Sequence, residues 1–376
     1  GGYGNAFLSS AEIYDPETET WSLTGAMDNA RLDHTTTLLD DGKVFAIGGR
    51  GSDGGNPIRS TELYDPVTGV WSPATRDAGF TRASHTSTLL SGGYVLVVGG
   101  IGEAENVLDR VEIFDTVSMD WMSIRYTRSL NMPRTNHTAT LLPDGRLLVT
   151  GGLDSNGNSV SSAEVYNALT DNWIPVNSMQ FKVESHTATL LPGGRLLVVG
   201  GNDTSLSGPR SAVMLFDYAI GQHFDMDSMS SSRYDHTATP LYDNSVLVAG
   251  GTADSGPLDS AELYNSFTKT WAETGKLGTA RARHTATLLP DRTVLVTGGN
   301  NGSQSLSTTE VFSSTLGAWS PAGGMDTPRE GHTATLLPDG NVLVVGGTCT
   351  ELEDSSAELY DPATITWTEL NRTANT

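Results

Sequence analysis

Apolar and polar residues alternate through this chain in short bursts that never reach helical length. One burst reads His-Thr-Ala-Thr-Leu-Leu, at residues 137–142, 186–191, 284–289 and 332–337. A second is an apolar run closed by two glycines, as in Arg146–Gly152 and Asn341–Gly347. A third reads Ser-Ala-Glu-Leu-Tyr, at 260–264 and 356–360, and a fourth is marked by tryptophan. Runs this short, rich in β-branched residues and bounded by Gly, Asp, Asn and Pro, predict strands. Pro-Asp-Gly between the first two bursts predicts a tight hairpin whose glycine takes positive φ.

The bursts recur in fixed order. The Gly-Gly doublet stands at Gly1, Gly48, Gly99, Gly151, Gly200, Gly250, Gly298 and Gly346, in steps of 47, 51, 52, 49, 50, 48 and 48 residues. An aromatic residue precedes a tryptophan by seven positions in each unit that carries Trp21, Trp71, Trp121, Trp173, Trp271, Trp319 or Trp367. After Phe216 the tryptophan place is taken by His223. A sheet of four short strands cannot bury both faces alone, so such sheets must pack face to face, and radial packing closes the array and protects its edges. The expected fold is all-β, with four antiparallel strands per repeat and residues 1–376 forming a single domain.

The doublet closing the second strand, the aromatic and tryptophan on the third and fourth, and Arg-x-x-His opening the first resemble the kelch repeat. The resemblance spans residues 1–368. It implies a β-propeller in which the His-Thr strand lines a central channel and the tryptophan strand lies outermost. Residues 34–368 supply seven complete blades, and residues 1–30 supply the outer strand pair of an incomplete eighth. Arg372–Thr376 looks like the opening of a further repeat. Seven blades with an extra strand pair and eight blades with two inner strands missing both fit. The apolar face carrying Ile13 and Trp21, bare in the first arrangement, tilts the choice slightly toward eight.

Charge narrows the function. Forty-four acidic against 22 basic residues give a net charge of −22, and only Lys43, Lys182, Lys269 and Lys276 are lysines. A phosphate-backbone binder needs a basic footprint, so nucleic acid is not an expected partner. The longest apolar run, Tyr94–Val98, is strand-sized, which argues against direct membrane insertion. The sole thiol, Cys349, allows no intrachain disulfide and no cysteine-cluster metal site. The chain opens on Gly1 rather than Met, as a processed chain, an excised fragment or the ordered part of something longer would.

Seven histidines, His34, His85, His137, His186, His236, His284 and His332, hold the repeated first-strand place. The same residue in every repeat points to packing or hydrogen bonding, so neither metal nor cofactor is expected there. Arg31, Arg82, Arg134, Arg233, Arg281 and Arg329 stand three residues before a histidine, with Lys182 as a loose substitute in the fourth repeat. Glu12, Glu62, Glu112, Glu164, Glu262, Glu310 and Glu358 stand two before the aromatic, with Met214 as the exception. Blade-to-blade ion pairs are expected from them. The breaks at Met214, His223 and Lys182 bring no nucleophile or paired carboxylates, so no catalytic residue is expected. Galactose oxidase also uses kelch-like repeats, and its copper-radical site resembles a Tyr-His pair, a second His and a Cys joined to a Tyr. This chain has no Tyr-His dipeptide and places Cys349 in a loop. Asp154–Asn158 begins like a calcium loop but has Ser159 at the sharp turn and Val165 where the bidentate Glu belongs.

Strand alternation sends the uniform turns to one face and the other connections to the opposite face. Loops 50–58, 101–108, 153–160, 202–209, 252–258, 300–306 and 348–354 vary there, and recognition normally resides on such loops. They are polar and poor in aromatics. Sequons at Asn136, Asn202, Asn301 and Asn371 are candidate glycosylation sites. The expected function is a non-enzymatic extracellular or cell-surface scaffold that binds protein or self-assembles by completion of its unfinished blade. The alternative is a carbohydrate-binding or oxidase-type propeller using the variable loop face.

Overall fold

The computed structural model describes residues 2–3, 7–122, 128–206, 208–348 and 356–370. Apart from one short 3-10 turn at Glu103–Glu105, every regular element in them is a strand. Seven four-stranded antiparallel sheets account for the repeat. The first is built from Thr35–Leu38, Val44–Ile47, Thr61–Asp65 and Val70–Pro73, joined in chain order. The other six span 86–121, 138–176, 187–225, 237–273, 285–324 and 333–370. These are the blades of a β-propeller, as the sequence pattern predicts, but the ring has seven blades, which corrects the slight preference for eight, since seven sheets among the described residues have four strands. Glu12–Asp15 and Thr20–Leu23 form a separate two-stranded sheet within residues 1–30. The four-stranded count is seven.

The described residues fall into two compact units, one made of residues 1–13, 23–184 and 218–222 and the other of 14–22, 185–217 and 223–376. In the first, Leu39, Phe45, Ile47 and Leu63 of the first blade share one core with Val95, Val97, Phe114 and Trp121 of the second. Second and third blades share another, closed by Tyr166 and Trp173. In the second unit, successive blades are joined in the same way, and Tyr14 and Trp21 pack on the layer of Leu343, Leu359 and Leu370. The aromatic and the tryptophan are directly opposite each other across the third and fourth strands, for instance Tyr64 and Trp71 or Phe312 and Trp319. Their ring centroids lie 5.3 and 5.1 Å apart, a spacing at which tilted aromatic pairs add to burial. Where His223 replaces tryptophan, it meets Phe216 edge-on at 4.8 Å, and its Nδ1 lies 2.7 Å from the Met214 sulfur.

A joint repeats between neighbouring blades. In the six doublets from Gly48 to Gly298 the second glycine donates its N–H to the carbonyl three residues before the next histidine, as in Gly49 to Arg82 at 2.8 Å and Gly251 to Arg281 at 2.8 Å. The approach leaves no room for a side chain. A Cβ on Gly250 would lie 2.4 Å from the Arg281 carbonyl and 2.8 Å from the His284 ring, and both glycines have positive φ, +58° and +93°. The histidine Nε2 then meets a threonine hydroxyl of the preceding blade: His85 with Thr35 at 2.8 Å, His236 with Thr187 at 3.0 Å and His284 with Thr237 at 2.9 Å. The residue before each histidine is left-handed, among them Asp33, Ser84, Asn136 and Asp235.

The arginine closes the joint from behind. Arg31, Arg82, Arg134, Arg233, Arg281 and Arg329 are at most 1% exposed, and each reaches the repeated glutamate at 2.5–2.9 Å. The other guanidinium nitrogen donates to the first glycine's carbonyl, as in Arg233 to Gly250 at 2.6 Å. The glutamate also accepts backbone N–H groups, Glu262 from Ser230 and Ser231 and Glu358 from Asp326 and Thr327. Burial lowers the arginine pKa and the carboxylate opposes that shift. The expected blade-to-blade pairing therefore needs correction. Each pair lies within one repeat, tying the segment that enters a blade to that blade's third strand.

The fourth repeat corrects a second expectation. Val183, not Lys182, holds the arginine place, because its carbonyl accepts the Gly152 N–H at 2.9 Å while Lys182 is exposed. Val183 and Met214 are both fully buried, so the sequence places of the arginine and of the glutamate are both apolar in this repeat. This is the substitution that physical chemistry tolerates, since removing both charges avoids stranding one of them.

On the opposite side from the joints, the turns between third and fourth strands end in exposed apolar residues, including Val67 at 92%, Leu169 at 96% and Phe267 at 77%.

Substitutions in the joint, with one in an open turn for comparison, are readable in urea unfolding. Gly251→Ala, at φ +93° and 2.7 Å from the Tyr234 carbonyl, loses on the order of 3 kcal/mol. Gly69→Ala, at φ +70° with nothing within 4 Å, loses only about 1 kcal/mol. Glu262→Met alone costs about 3–5 kcal/mol by leaving Arg233 buried without its partner, and adding Arg233→Val restores at least about 1 kcal/mol of that. Finally, burial holds the His236 pKa down at about 3 and those of His34 and His332 at about 4, so these rings are neutral in the native state. Unfolded histidine binds protons from about pH 6.5 downward, so each group's contribution is present above that pH and is lost as pH falls toward its native value. The expected slope is up to about 1.4 kcal/mol per pH unit for each such histidine. His236→Gln should unfold with a shallower pH dependence between 6.5 and 4, and an unchanged slope would refute the assignment.

Candidate functional site

Residues that repeat in every blade build the frame, so residues that break the repeat are where a specific partner would be read. Within the first unit the breaks gather on the variable loop face. The loop after the second strand of the first blade, the segment entering the second blade, and the corresponding loop of the second blade enclose a groove of about 550 Å³. It is lined by Asn56, Arg59, Phe80, Glu103, Asn106 and Leu108, among others. Strand alternation predicts that these two kinds of connection share a face, and the groove is built from both.

Local chemistry holds the walls. Asn56 and Asn106 each donate a side-chain N–H to the carbonyl three residues back, at 2.9 Å, and so close equivalent turns. Ala104 and Glu105 lie in the left-handed region at φ +55° and +59°, a conformation that costs about 1–3 kcal/mol per residue outside glycine. A bidentate pair from Arg50 to Glu105 at 2.8 and 3.1 Å bridges the two loops. That hydrogen bond raises the Arg50 pKa and lowers that of Glu105. Arg110 lies over the Phe80 ring at 5.3 Å, a cation–π contact.

The expectation of a face poor in aromatics overlooked the segments that enter each blade. Phe80, Met132 and Phe181 occupy one equivalent place in the second, third and fourth repeats, two residues after the backbone donors Ala78, Leu130 and Met179. The same place holds Ser231, Thr279 and Thr327 in the later repeats. A comparison of repeats at this place would have found the difference from sequence.

The remaining candidates are placed as follows. All six histidines from His85 to His332 are buried, and no group of three His, Cys, Asp or Glu side chains able to hold a metal ion occurs among the described residues. The pKa of His223 is pushed down to about 4 by burial. Asn136 is exposed in its left-handed turn. Asn202 begins a two-residue strand paired with Gly208–Pro209. Asn301 accepts the hydroxyl of Ser303, the third residue of its own sequon, at 2.8 Å. Asp154 accepts N–H groups from Asn156 and Asn158, so its carboxylate closes its own loop. Cys349, Asn371 and Arg372–Thr376 lie outside the described residues.

Comparison with known proteins agrees with this geometry. The model of the Attractin/LZTR1 beta-propeller matches residues 1–259, and that of the KLHDC2/KLHL20/DRC7 Kelch-repeats domain matches residues 185–376. Human Kelch-like protein 38 is 26% identical over 196 residues, which is 50% of this chain and 31% of that protein. Kelch-like protein 7 of the mouse is 46% identical over 48 residues, 13% of this chain and 8% of that protein. The chain thus spans less than a third of these relatives. Among solved structures, YjhT aligns with a TM-score of 0.53 and 15% identity over 77% of this chain and 96% of its own. A fungal alcohol oxidase of the AA5 family in complex with copper aligns with a TM-score of 0.58 and 18% identity, covering 80% of this chain and 67% of its own. At those identities the likeness is one of fold. With one family model covering more than two thirds of its length and the other its second half, the chain belongs to the kelch-repeat β-propeller family.

Proposed function

We propose that residues 1–376 act as one propeller domain whose function is to bind other proteins through its variable loop face, without catalysis. One observation carries this reading: positions that break the repeat converge on a walled groove, whereas the repeated polar residues are consumed in the joints. The kelch-like relatives are in keeping with it. Placement outside the cell draws on the lysine-poor composition and on the sequons at Asn202 and Asn301. Self-assembly is a second route to a partner, because the two-stranded sheet at Glu12–Leu23 leaves Ile13 38% exposed and has no inner strands among the described residues.

Photo-crosslinking residues placed at Met132 and Phe181 on the loop face, and at Val67 and Val117 on the turns, test the main reading in extracts of the source. A discrete protein adduct from the loop positions and none from the turns is expected, and the reverse pattern would refute it. Light scattering of the purified chain up to high concentration tests assembly, which a strictly monomeric chain would exclude. Activity after copper loading, assayed on primary alcohols, would instead favour an oxidase.

A further inference from the structure

Arg59 is the residue of the groove that the frame leaves unused. Acids outnumber bases two to one in this chain, and most arginines of the first unit have found one. Arg31, Arg50, Arg76, Arg82, Arg110, Arg134 and Arg146 each lie within 2.5–3.4 Å of a carboxylate. Among the described residues of that unit, Arg59 and Arg128 have no such partner. Of these two, only Arg59 lines the groove.

Its position is a break in the repeat. The backbone carbonyl of Arg59 accepts an N–H from Ala78, and the equivalent acceptors in later repeats are Asp109, Ser161, Ser211, Asp259 and Ser307. An acid or a serine stands wherever the frame alone is served. A cation appears once, in the repeat whose groove is also lined by Phe80 and Leu108. The frame gains nothing from it, since the backbone contact is the same in all six repeats.

We propose that this groove is a subsite for an extended protein segment carrying an acidic side chain, with the ligand carboxylate on the Arg59 guanidinium. The inference rests on the protein-binding reading and specifies its partner. Arginine presents a planar fork that matches a carboxylate bidentately, and a partly enclosed site strengthens that pair. Phe80 and Leu108 receive the apolar part of the segment, while Arg110 stacked on Phe80 adds to the positive potential near the ring. Glu103, which also lines the groove, repels the ligand acid and leaves Arg59 as its partner. The Arg50–Glu105 bridge keeps the strained 103–105 wall in place before the ligand arrives, which spares the ordering cost of binding.

The test uses a phage-displayed library of random dodecapeptides selected on the immobilised whole chain. Selected peptides should share an aspartate or glutamate at one position and lose at least tenfold in affinity on Arg59→Ala, with a larger loss on Arg59→Glu. Arg128→Ala, an exposed cation outside the groove, should bind them as the native chain does. Both Arg59 variants should keep the native melting temperature, since the side chain is exposed. Peptides that bind but are indifferent to Arg59→Ala, or that carry no shared acid, would overturn this subsite and leave protein binding by the loop face intact. Failure to select any peptide would overturn both.

Discussion

The buried arginine–glutamate pair is the interaction on which the remaining structure depends. It joins three separate stretches of chain at one guanidinium: the entering segment that carries it, the carbonyl of the first doublet glycine, and the third strand that carries the glutamate. The glutamate in turn satisfies the backbone N–H groups at the start of that segment. A buried charge pair of this kind stabilises weakly or not at all relative to apolar residues, and its worth lies in specifying one arrangement. Here it specifies where the histidine begins. With the arginine fixed, its carbonyl meets the previous blade's second glycine and the histidine three residues on meets the previous blade's threonine. One side chain thereby sets the register of two neighbouring blades, and the apolar layers fill a spacing already decided.

The fourth repeat shows how far that logic stretches. Valine at 183 keeps the backbone bond from Gly152 although neither it nor Met214, at the glutamate place of the same repeat, carries a charge. The backbone contact is thus the invariant part of the joint and the ion pair is one way of aiming it. His223 at the tryptophan place belongs with this change, because its ring meets both Phe216 and the Met214 sulfur. What reads in sequence as scattered drift is, around Met214 and His223, one local repacking.

Strand type, blade composition and the aromatic pairs were legible in the sequence because a period of two within strands and of about fifty between them leaves no alternative chain path. The partner of each arginine was not legible. Arg31 precedes Glu62 by 31 residues and follows Glu12 by 19, and spacing alone cannot say which carboxylate the guanidinium faces. Lys182 misled for a related reason: charge suggested equivalence to arginine, whereas backbone register, visible only in the Gly152 bond, gave that place to Val183. Of the groove, the loops were legible as variable. Its walls were not, because the left-handed backbone at Ala104 and Glu105 uses residues that carry no turn signal, and because Phe80 lies outside the loops where variation was sought.

The turn tips give the charge of −22 a different meaning. Val67, Leu169 and Phe267 stand almost free of cover, and each is the kind of side chain by which two copies in solution adhere. Every such tip follows an Asp or Asn two residues earlier that folds its side-chain oxygen onto the turn, as Asp65 does to Val67 at 2.8 Å and Asn265 to Phe267 at 2.9 Å. The surplus of carboxylates over the whole surface makes colloidal encounters repulsive, and at physiological ionic strength that repulsion reaches only about 8 Å. Repulsion between copies is therefore a short-range property of this molecule, set by charge density at the moment of near contact.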